Sequence, residues 1–451
     1  MIFRNLSAAR SRIFAVSALG AALALGGCGV FGGGDDGPTT PTVGDRIPVL
    51  SRIANAVEPD PALADVSVVL PPARENDEWS QPGGNAANAM GHLALAAAPQ
   101  KVWSASIPGS NKKRRMAAAP VVGGGKLFVM DTDATVHAFD AQTGASIWSH
   151  SLDSDSSTRD SLFGGGASYF GGKVYVTDGV GDVAALDAET GSELWNVKPA
   201  GPLRGSPTVA FNAVYVMTQD NQIHALNLQD GSVIWQDFGA SGQSGVFGVA
   251  APAAGQGTVI AGYSTGELVA YRYENGRNLW SDALARTSIS TEVGSLTDVD
   301  ADPIIDDGRV YALGQGGRMA AYELVTGQRL WELTLAGIST PAVAGEWIFT
   351  LTDDARLLAI ARSTGKVKWI TQLDRYKDEK DREGPIFWTG PVLANNKLWI
   401  ASTRGKVMSV DVVTGLATEF TELSDGVSLP PIVANQTLYL MDNKGRITAW
   451  R

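Results

Sequence analysis

The sequence predicts an all-β fold: an eight-bladed β-propeller with four-stranded antiparallel blades, the last of them closed by an N-terminal strand. A segment with a tight turn, written "ALDAETGSELW" at 185–195, occurs in seven related copies between residues 138 and 419. Short strands rich in β-branched and aromatic residues precede each copy, such as "KVYVTD" at 173–178. Four short strands in each repeat of roughly 40–50 residues are typical of a propeller blade.

The first residues have the features of a lipoprotein signal peptide. Three arginines precede the apolar stretch 13–25, which is too short to span a bilayer as a mature helix. The stretch ends in "LGGC", which resembles the lipobox of bacterial lipoproteins. We expect residues 1–27 to be removed and Cys28 to be acylated; an ordinary signal peptide with a chance cysteine is the alternative. Because Cys28 is the only cysteine, the folded domain must be held together by its core.

Residues 28–100 are predicted to contain the lipidated cysteine, a flexible tether and an N-terminal extension. The segment has no sustained hydrophobic periodicity, and "DDGPTTPTVGD" at 35–45 is typical of a linker. Cleavage removes three arginines and no acidic residue, so the formal net charge of −11 becomes −14. This acidity does not favour nucleic acid as a partner. The basic run at 112–115 is expected to be solvated, with an acidic partner or anionic headgroups as the alternative.

The propeller is predicted over 101–451, and tryptophans are expected to join its blades. In each repeat the turn glycine permits positive φ, and in six of the seven copies a tryptophan follows four residues later on the outer strand. A ring that fits into the gap beside a small residue buries about 150–250 Å² and would tie neighbouring blades together. The seventh copy has Glu419 in the tryptophan position, so its docking is expected to be weaker. The expected docking residues are Trp103, Trp148, Trp195, Trp235, Trp280, Trp331 and Trp369.

One strand is missing from the last repeat. Eight apolar strands open the units, seven of them led by a proline, but only seven turns of the tryptophan type follow. The last unit ends at Arg451, before an outer strand can form. The segment "KVWSASI" at 101–107 has the sequence of such a strand and contains Trp103. We therefore predict that this N-terminal strand completes blade 8 and closes the ring.

No pattern in the sequence indicates a catalytic, cofactor or metal site. The histidines (His92, His137, His150 and His224) lack the spacing of metal ligands, and "DVDAD" at 298–302 is not continued as a calcium-binding loop. The tryptophan spacing resembles the docking motif of quinoprotein repeats. Dehydrogenases of that family bind pyrroloquinoline quinone (PQQ) and Ca²⁺ on the propeller axis. A PQQ-dependent quinoprotein dehydrogenase is therefore one alternative function, and a cell-wall or saccharide-binding propeller is another.

A lipoprotein signal ahead of an eight-bladed propeller of this type resembles the BamB family of outer-membrane protein assembly factors. The resemblance covers about residues 100–451 and is reinforced by "WSQPGGNAANAMGHLAL" at 79–95. It implies a non-catalytic scaffold of the Bam complex, lipid-anchored at the periplasmic face of the outer membrane. It also implies docking on the periplasmic POTRA domains of BamA, with unfolded outer-membrane proteins as further partners. Contact with the membrane is expected through the lipid anchor only.

Two loop motifs of that family can be placed on this chain. The leucine–arginine motif matches Leu203 and Arg204, and the acidic motif matches Asp298 and Asp300. Each motif precedes a proline that opens a blade, so both are expected on one face, two blades apart. The resemblance implies that these four residues bind the partner, with an exposed Leu–Arg pair as the hot spot. The alternatives are an inward leucine with a locally paired arginine, and aspartates that shape the loop 281–301.

Overall fold

The computed structural model describes residues 57–152, 163–240, 250–284 and 298–451. As predicted, their strands form eight four-stranded antiparallel sheets; a short hairpin of Tyr376–Asp378 and Glu383–Pro385 is added to them. The helical structure in this part of the chain is the 3-10 turn Pro61–Leu63, and no helix there is long and apolar enough to cross a bilayer. The predicted signal peptide at 1–27, Cys28 and the predicted linker at 35–45 lie outside the described residues.

Each of the first seven blades runs in chain order from an inner strand at the propeller axis to an outer strand at the rim. Second strands such as Ala213–Met217 are buried along their whole length, which explains their continuous apolar sequences. The strands of blades 1–4 are Val121–Gly123, Lys126–Met130, Thr135–Asp140 and Ser146–Ser151; Gly165–Phe170, Lys173–Asp178, Val183–Asp187 and Glu193–Val197; Thr208–Ala210, Ala213–Met217, Gln222–Asn227 and Val233–Phe238; and Ala253–Gly255, Thr258–Gly262, Glu267–Arg272 and Asn278–Ala283. The strands of blades 5–7 are Ile304–Asp306, Arg309–Gly314, Arg318–Glu323 and Arg329–Leu333; Ala342–Ala344, Trp347–Leu351, Arg356–Ala361 and Val367–Gln372; and Trp388–Ala394, Lys397–Ser402, Lys406–Asp411 and Ala417–Glu422.

Blade 8 is built from both ends of the propeller sequence, which confirms the predicted closure. It consists of Ile432–Ala434, Thr437–Met441 and Arg446–Trp450, with Lys101–Ser106 as the outer strand. Trp103 lies opposite Ala449 in this sheet. The backbones of Gln100 and Arg451 exchange hydrogen bonds of 2.8 and 2.9 Å, so the two ends of the ring are fastened to each other.

Neighbouring blades are joined by tryptophan rings. In its own blade each of the seven tryptophans lies opposite an alanine, as Trp280 lies opposite Ala270. Its Nε1 donates to a backbone carbonyl of the next blade, at 2.8 Å for Trp280 and Leu324. The ring covers the turn glycine of that blade, which is Gly327 in this case. The tryptophans that dock in this way are Trp103, Trp148, Trp195, Trp235, Trp280, Trp331 and Trp369.

The junction between blades 7 and 8 is built differently. Glu419 occupies the tryptophan position of blade 7 and is exposed. Phe420 packs edge-on against Trp399 of blade 7 and Trp450 of blade 8, with ring centroids 5.0 and 5.1 Å apart. No glycine turn joins the third strand of blade 8 to its outer strand, because that outer strand is Lys101–Ser106 from before blade 1. This junction therefore lacks both halves of the docking contact.

Residues 57–100, which the predicted boundaries assign to tether and extension, are packed on the propeller in the structure. Residues 74–94, here called the inner belt, follow the inside of the ring and bond to the inner strands of seven of the eight blades. Inner strands are sheet edges with unpaired backbone groups, so a chain that satisfies those groups is held firmly. The contacts, in the order of blades 8, 1, 2, 3, 4, 5 and 7, are Asn76–Val433, Trp79–Val122, Ser80–Tyr169, Gln81–Val209, Ala86–Ala254, Ala87–Ile305 and Leu93–Leu393.

The inner belt closes on itself at the junction that lacks a docking tryptophan. Arg74 lies beside Leu93 in a parallel bridge. The Arg74 amide donates to the His92 carbonyl at 3.0 Å, and the Ala94 amide donates to the Arg74 carbonyl at 2.7 Å. The inner belt enters at blade 8 and leaves at blade 7, so it joins the two blades that the tryptophans leave unjoined.

Two glycines of blade 5 test the docking contact. Gly308 and Gly327 both have φ of 71°. A Cβ at Gly308 would meet nothing within 4 Å, whereas a Cβ at Gly327 would overlap the Trp280 ring. We expect Gly308→Ala to lower the free energy of unfolding by about 1–2 kcal/mol, the cost of the left-handed conformation. Gly327→Ala should lower it clearly further, because Trp280 must move. Equal shifts of the thermal midpoint would contradict this account.

The closing strand can be tested without disturbing the inner belt. Replacing residues 101–107 by a glycine–serine segment of equal length keeps the connection but removes the outer strand of blade 8 and its tryptophan. We expect a lower thermal midpoint and protease cleavage within 432–451, read by mass spectrometry. The same replacement of the peripheral hairpin 376–385 is the control and should leave both unchanged. A closing-strand variant with an unaltered melt and cleavage pattern would refute closure by this strand.

Candidate docking face

The predicted motif residues lie in segments that join the outer strand of one blade to the inner strand of the next. Because strand direction alternates across a four-stranded blade, all segments of this type emerge on the same face of the ring. Leu203 and Arg204 lead into blade 3, and Asp298 and Asp300 lead into blade 5. We call this face the loop face; its described segments include 107–120, 198–207, 298–303, 334–341, 373–387 and 423–431.

The structure places all four motif side chains inside the protein. Leu203 is fully buried and belongs to the core cluster between blades 2 and 3. Arg204 and Asp298 are each 1% exposed, and Asp300 is 9% exposed. The expectation of an exposed Leu–Arg pair is therefore wrong. The leucine fills the gap between two blades, where burial stabilises an apolar side chain by about 1.5–3 kcal/mol relative to water.

Arg204 links the two motif loops across blade 4. Its Nη2 donates to Asp300 Oδ1 at 3.0 Å, and Asp298 Oδ1 lies 4.0 Å from the same nitrogen. Burial raises the pKa of Asp300 to about 6, although the Arg204 guanidinium lowers it. Among the described residues, Arg204 Nε and Nη1 have no hydrogen-bond acceptor. This geometry agrees with the alternatives of a locally paired arginine and aspartates that shape their loop.

A second carboxylate fastens blade 5 to the blades on either side. Asp302 accepts hydrogen bonds from the Ala251 amide at 2.7 Å and from the Thr340 hydroxyl at 3.1 Å. Ala251 precedes blade 4 and Thr340 precedes blade 6, so the carboxylate joins three successive blades at the loop face. Burial raises the pKa of Asp302 to about 6, and the Ala251 amide opposes this shift. Sequence reasoning missed this role, since only the contact partners reveal it.

The propeller axis contains a cavity of about 460 Å³. The end of the cavity at the loop face is lined by residues that include Arg115, Asp300 and Phe387, and its other end is lined by the inner-belt residues Trp79 and Met90. Phe387 is 61% exposed. The inner belt therefore forms the floor of an axial cavity that the loop face surrounds.

The basic run at 112–115 lies on the same face. Lys112, Lys113 and Arg115 are exposed, which agrees with the expectation of a solvated run. Arg114 is half-buried and forms an ion pair with Asp133. The run thus contributes positive charge beside the cavity, opposite in sign to Asp300 and Asp302.

The axial residues do not fit a quinone–calcium centre. Asp300 and Asp302 are the carboxylates among the cavity-lining residues. Asp300 is already hydrogen-bonded to Arg204, and Asp302 is already hydrogen-bonded to Ala251 and Thr340. Over the part of the chain that the structure describes, no group of three His, Cys, Asp or Glu side chains is placed to hold a metal ion.

Comparisons with known proteins separate family from fold. The family model described as outer membrane protein assembly factor BamB matches residues 89–159 and 133–371. A protein of that name from Yersinia pestis is 28% identical over 357 residues, which cover 78% of this chain and 88% of that protein. The crystal structure of BamB from Moraxella catarrhalis has a TM-score of 0.66 at 20% identity, covering 78% of this chain and 99% of that one.

Structural likeness alone would not decide between an assembly factor and an enzyme. A quinohemoprotein alcohol dehydrogenase from Comamonas testosteroni also has a TM-score of 0.66, at 15% identity, and covers 84% of this chain and 81% of that one. At such identities both structures show the shared fold. The family model is more specific, because it matches the sequence over more than half of the chain. The chain therefore belongs to the outer membrane protein assembly factor BamB family.

Proposed function

We propose that this chain is a non-catalytic scaffold of the outer-membrane β-barrel assembly (Bam) complex. It docks on the periplasmic POTRA domains of BamA and supports the insertion of barrel proteins, and unfolded outer-membrane proteins are a further class of partner. Acylated Cys28 anchors it to the periplasmic face of the outer membrane. The observation that carries the proposal is the family match over 89–371, which spans both motif loops of the loop face.

The loop face is the proposed docking surface, and the motif residues support it from beneath. Arg204 and Asp300 connect the segments before blades 3 and 5, so they fix the surface that these segments present. Among the described residues, two nitrogens of the buried Arg204 guanidinium have no acceptor. An unsatisfied buried donor destabilises a protein by about 1–3 kcal/mol. Retention of such a group in the core is understandable if the shape it enforces is needed for binding.

Removing Arg204 tests whether its ion pair with Asp300 is needed for docking on BamA. Arg204→Ala removes the cation that pairs with the buried Asp300, which should lower the free energy of unfolding by about 3–5 kcal/mol. We expect affinity for the purified POTRA domains of BamA to fall by about tenfold or more, equivalent to ~1.4 kcal/mol or more. Biolayer interferometry measures the affinity, and co-purification of BamA from membranes measures assembly.

Arg362→Ala is the matched control for this experiment. Arg362 is also buried, lies 2.7 Å from Asp306 and donates to the Tyr311 hydroxyl at 2.6 Å, but it lies on the face opposite the loop face. It should reduce stability to a similar extent and leave BamA affinity nearly unchanged. Equal loss of affinity in both variants would attribute the effect to stability alone. Unchanged affinity in Arg204→Ala would refute the proposed role of the Arg204–Asp300 ion pair in docking.

A cofactor titration tests the non-catalytic part of the proposal. The purified chain, titrated with PQQ in the presence of Ca²⁺, should show no saturable change in tryptophan fluorescence and no dye-linked oxidation of alcohols. The Comamonas-type quinohemoprotein dehydrogenase serves as the positive control. Saturable binding together with turnover would overturn the scaffold assignment.

A further inference from the structure

We propose that residues 81–88 of the inner belt are a positioning element of the docking surface, with Gln81 and Asn88 as the positioning residues. The inference rests on the proposed function and extends it to a segment that carries neither family contact motif. It follows from which blades these two side chains hold. They are the same two blades that Arg204 and Asp300 connect at the loop face.

Gln81 holds blade 3. Its side-chain amide donates to the Val209 carbonyl at 2.9 Å and accepts from the Val209 amide at 2.8 Å. Gln81 is 4% exposed. Val209 lies on the inner strand of blade 3, five residues after Arg204. The two hydrogen bonds therefore fix the strand that directly continues the first motif loop.

Asn88 holds blade 5 in the corresponding way. Its Nδ2 donates to the Pro303 carbonyl at 2.8 Å, and the adjacent Ala87 carbonyl accepts from the Ile305 amide at 2.9 Å. Asn88 is 6% exposed. Pro303 follows Asp300 by three residues, so the fixed strand directly continues the second motif loop.

The chain between these two side chains is locally braced. The Gly84 amide donates to the Gln81 carbonyl at 2.8 Å, and the Asn88 amide donates to the Asn85 carbonyl at 3.0 Å. Asn85 Oδ1 also accepts from the amides of Ala87 and Ala89 at 3.0 and 3.1 Å. Residues 81–88 are thus a spacer of defined length between blades 3 and 5.

Blades 3 and 5 are consequently linked twice around blade 4: by the ion pair at the loop face and by the spacer of the inner belt. The 3.0 Å contact between Arg204 and Asp300 requires a particular separation of the two blades. The spacer sets that separation from inside the ring. Loss of its end contacts should loosen both motif loops, even though neither Gln81 nor Asn88 belongs to them.

The test combines Gln81→Ala with Asn88→Gly. Glycine is chosen at 88 because this residue has φ of 56°, which glycine adopts without strain. Hydrogen exchange in the full chain should quicken at the amides of Arg204, bonded to the Met217 carbonyl, and Val299, bonded to the Tyr263 carbonyl. Affinity for the BamA POTRA domains should fall by about tenfold, equivalent to ~1.4 kcal/mol.

Asn76→Ala is the matched control, because blade 8 lies across the ring from blade 4. Asn76 makes the same type of contact, from its Nδ2 to the Val433 carbonyl at 2.7 Å. It should quicken exchange near Val433 and leave both the motif-loop amides and BamA affinity at wild-type values. Unchanged motif-loop exchange in the double variant would overturn the inference, whether or not BamA binds. Wild-type chain that fails to bind BamA would overturn the proposed function, while the exchange data would still decide the positioning role.

Discussion

The contact between a tryptophan of one blade and the glycine turn of the next is the interaction on which the ring depends. The core clusters lie between neighbouring blades, so no blade buries its two faces alone. Each part of the repeat meets one requirement of this contact. Alanine leaves room beside the ring, the carbonyl accepts from the indole, and glycine supplies both positive φ and the missing Cβ. The sequence therefore repeats because the same junction between blades repeats around the ring.

The same reasoning explains why blade 7 has no docking tryptophan. A ring at that position would find no glycine turn to cover, because the outer strand of blade 8 is Lys101–Ser106 and is not joined to the third strand by a hairpin. Glu419 is accordingly exposed, and Phe420 packs edge-on between Trp399 and Trp450. The ring is closed by the strand Lys101–Ser106, which completes blade 8 and docks on blade 1, and by the inner belt, which bonds to both blade 8 and blade 7. Both come from the segment that precedes blade 1, and they add to the core packing between blades 7 and 8.

The fold was predictable from the sequence because its determinants are local and repeated. The turn, the tryptophan and the missing last strand are all visible in the order of residues, as with Trp103 and Ala449. The inner belt was not predictable, because Gln81 and Asn88 have no repeat partner and bond to the backbone of strands far along the chain. For a related reason, the burial of Leu203 and Arg204 was only the alternative expectation. Position in a loop indicates exposure on average, whereas here the loop side chains fill gaps between blades.

The two faces of the ring differ in how well their buried charges are satisfied. On the face opposite the loop face, Arg362 contacts both Asp306 and Tyr311. On the loop face, two nitrogens of Arg204 lack an acceptor among the described residues, and burial raises the pKa of Asp300 and Asp302 to about 6. A carboxyl whose pKa is higher in the folded state than in the unfolded state, near 3.9, binds its proton more tightly when folded. Its contribution to stability therefore falls as the pH rises from about 4 to about 6, and near pH 7 the destabilisation is fully present. Native sequences depart from complete polar satisfaction mainly where function requires it. Burial also raises the pKa of Asp306 on the opposite face. The loop face is therefore distinguished by the guanidinium of Arg204, whose unpaired nitrogens among the described residues are the feature expected of a surface shaped for a partner.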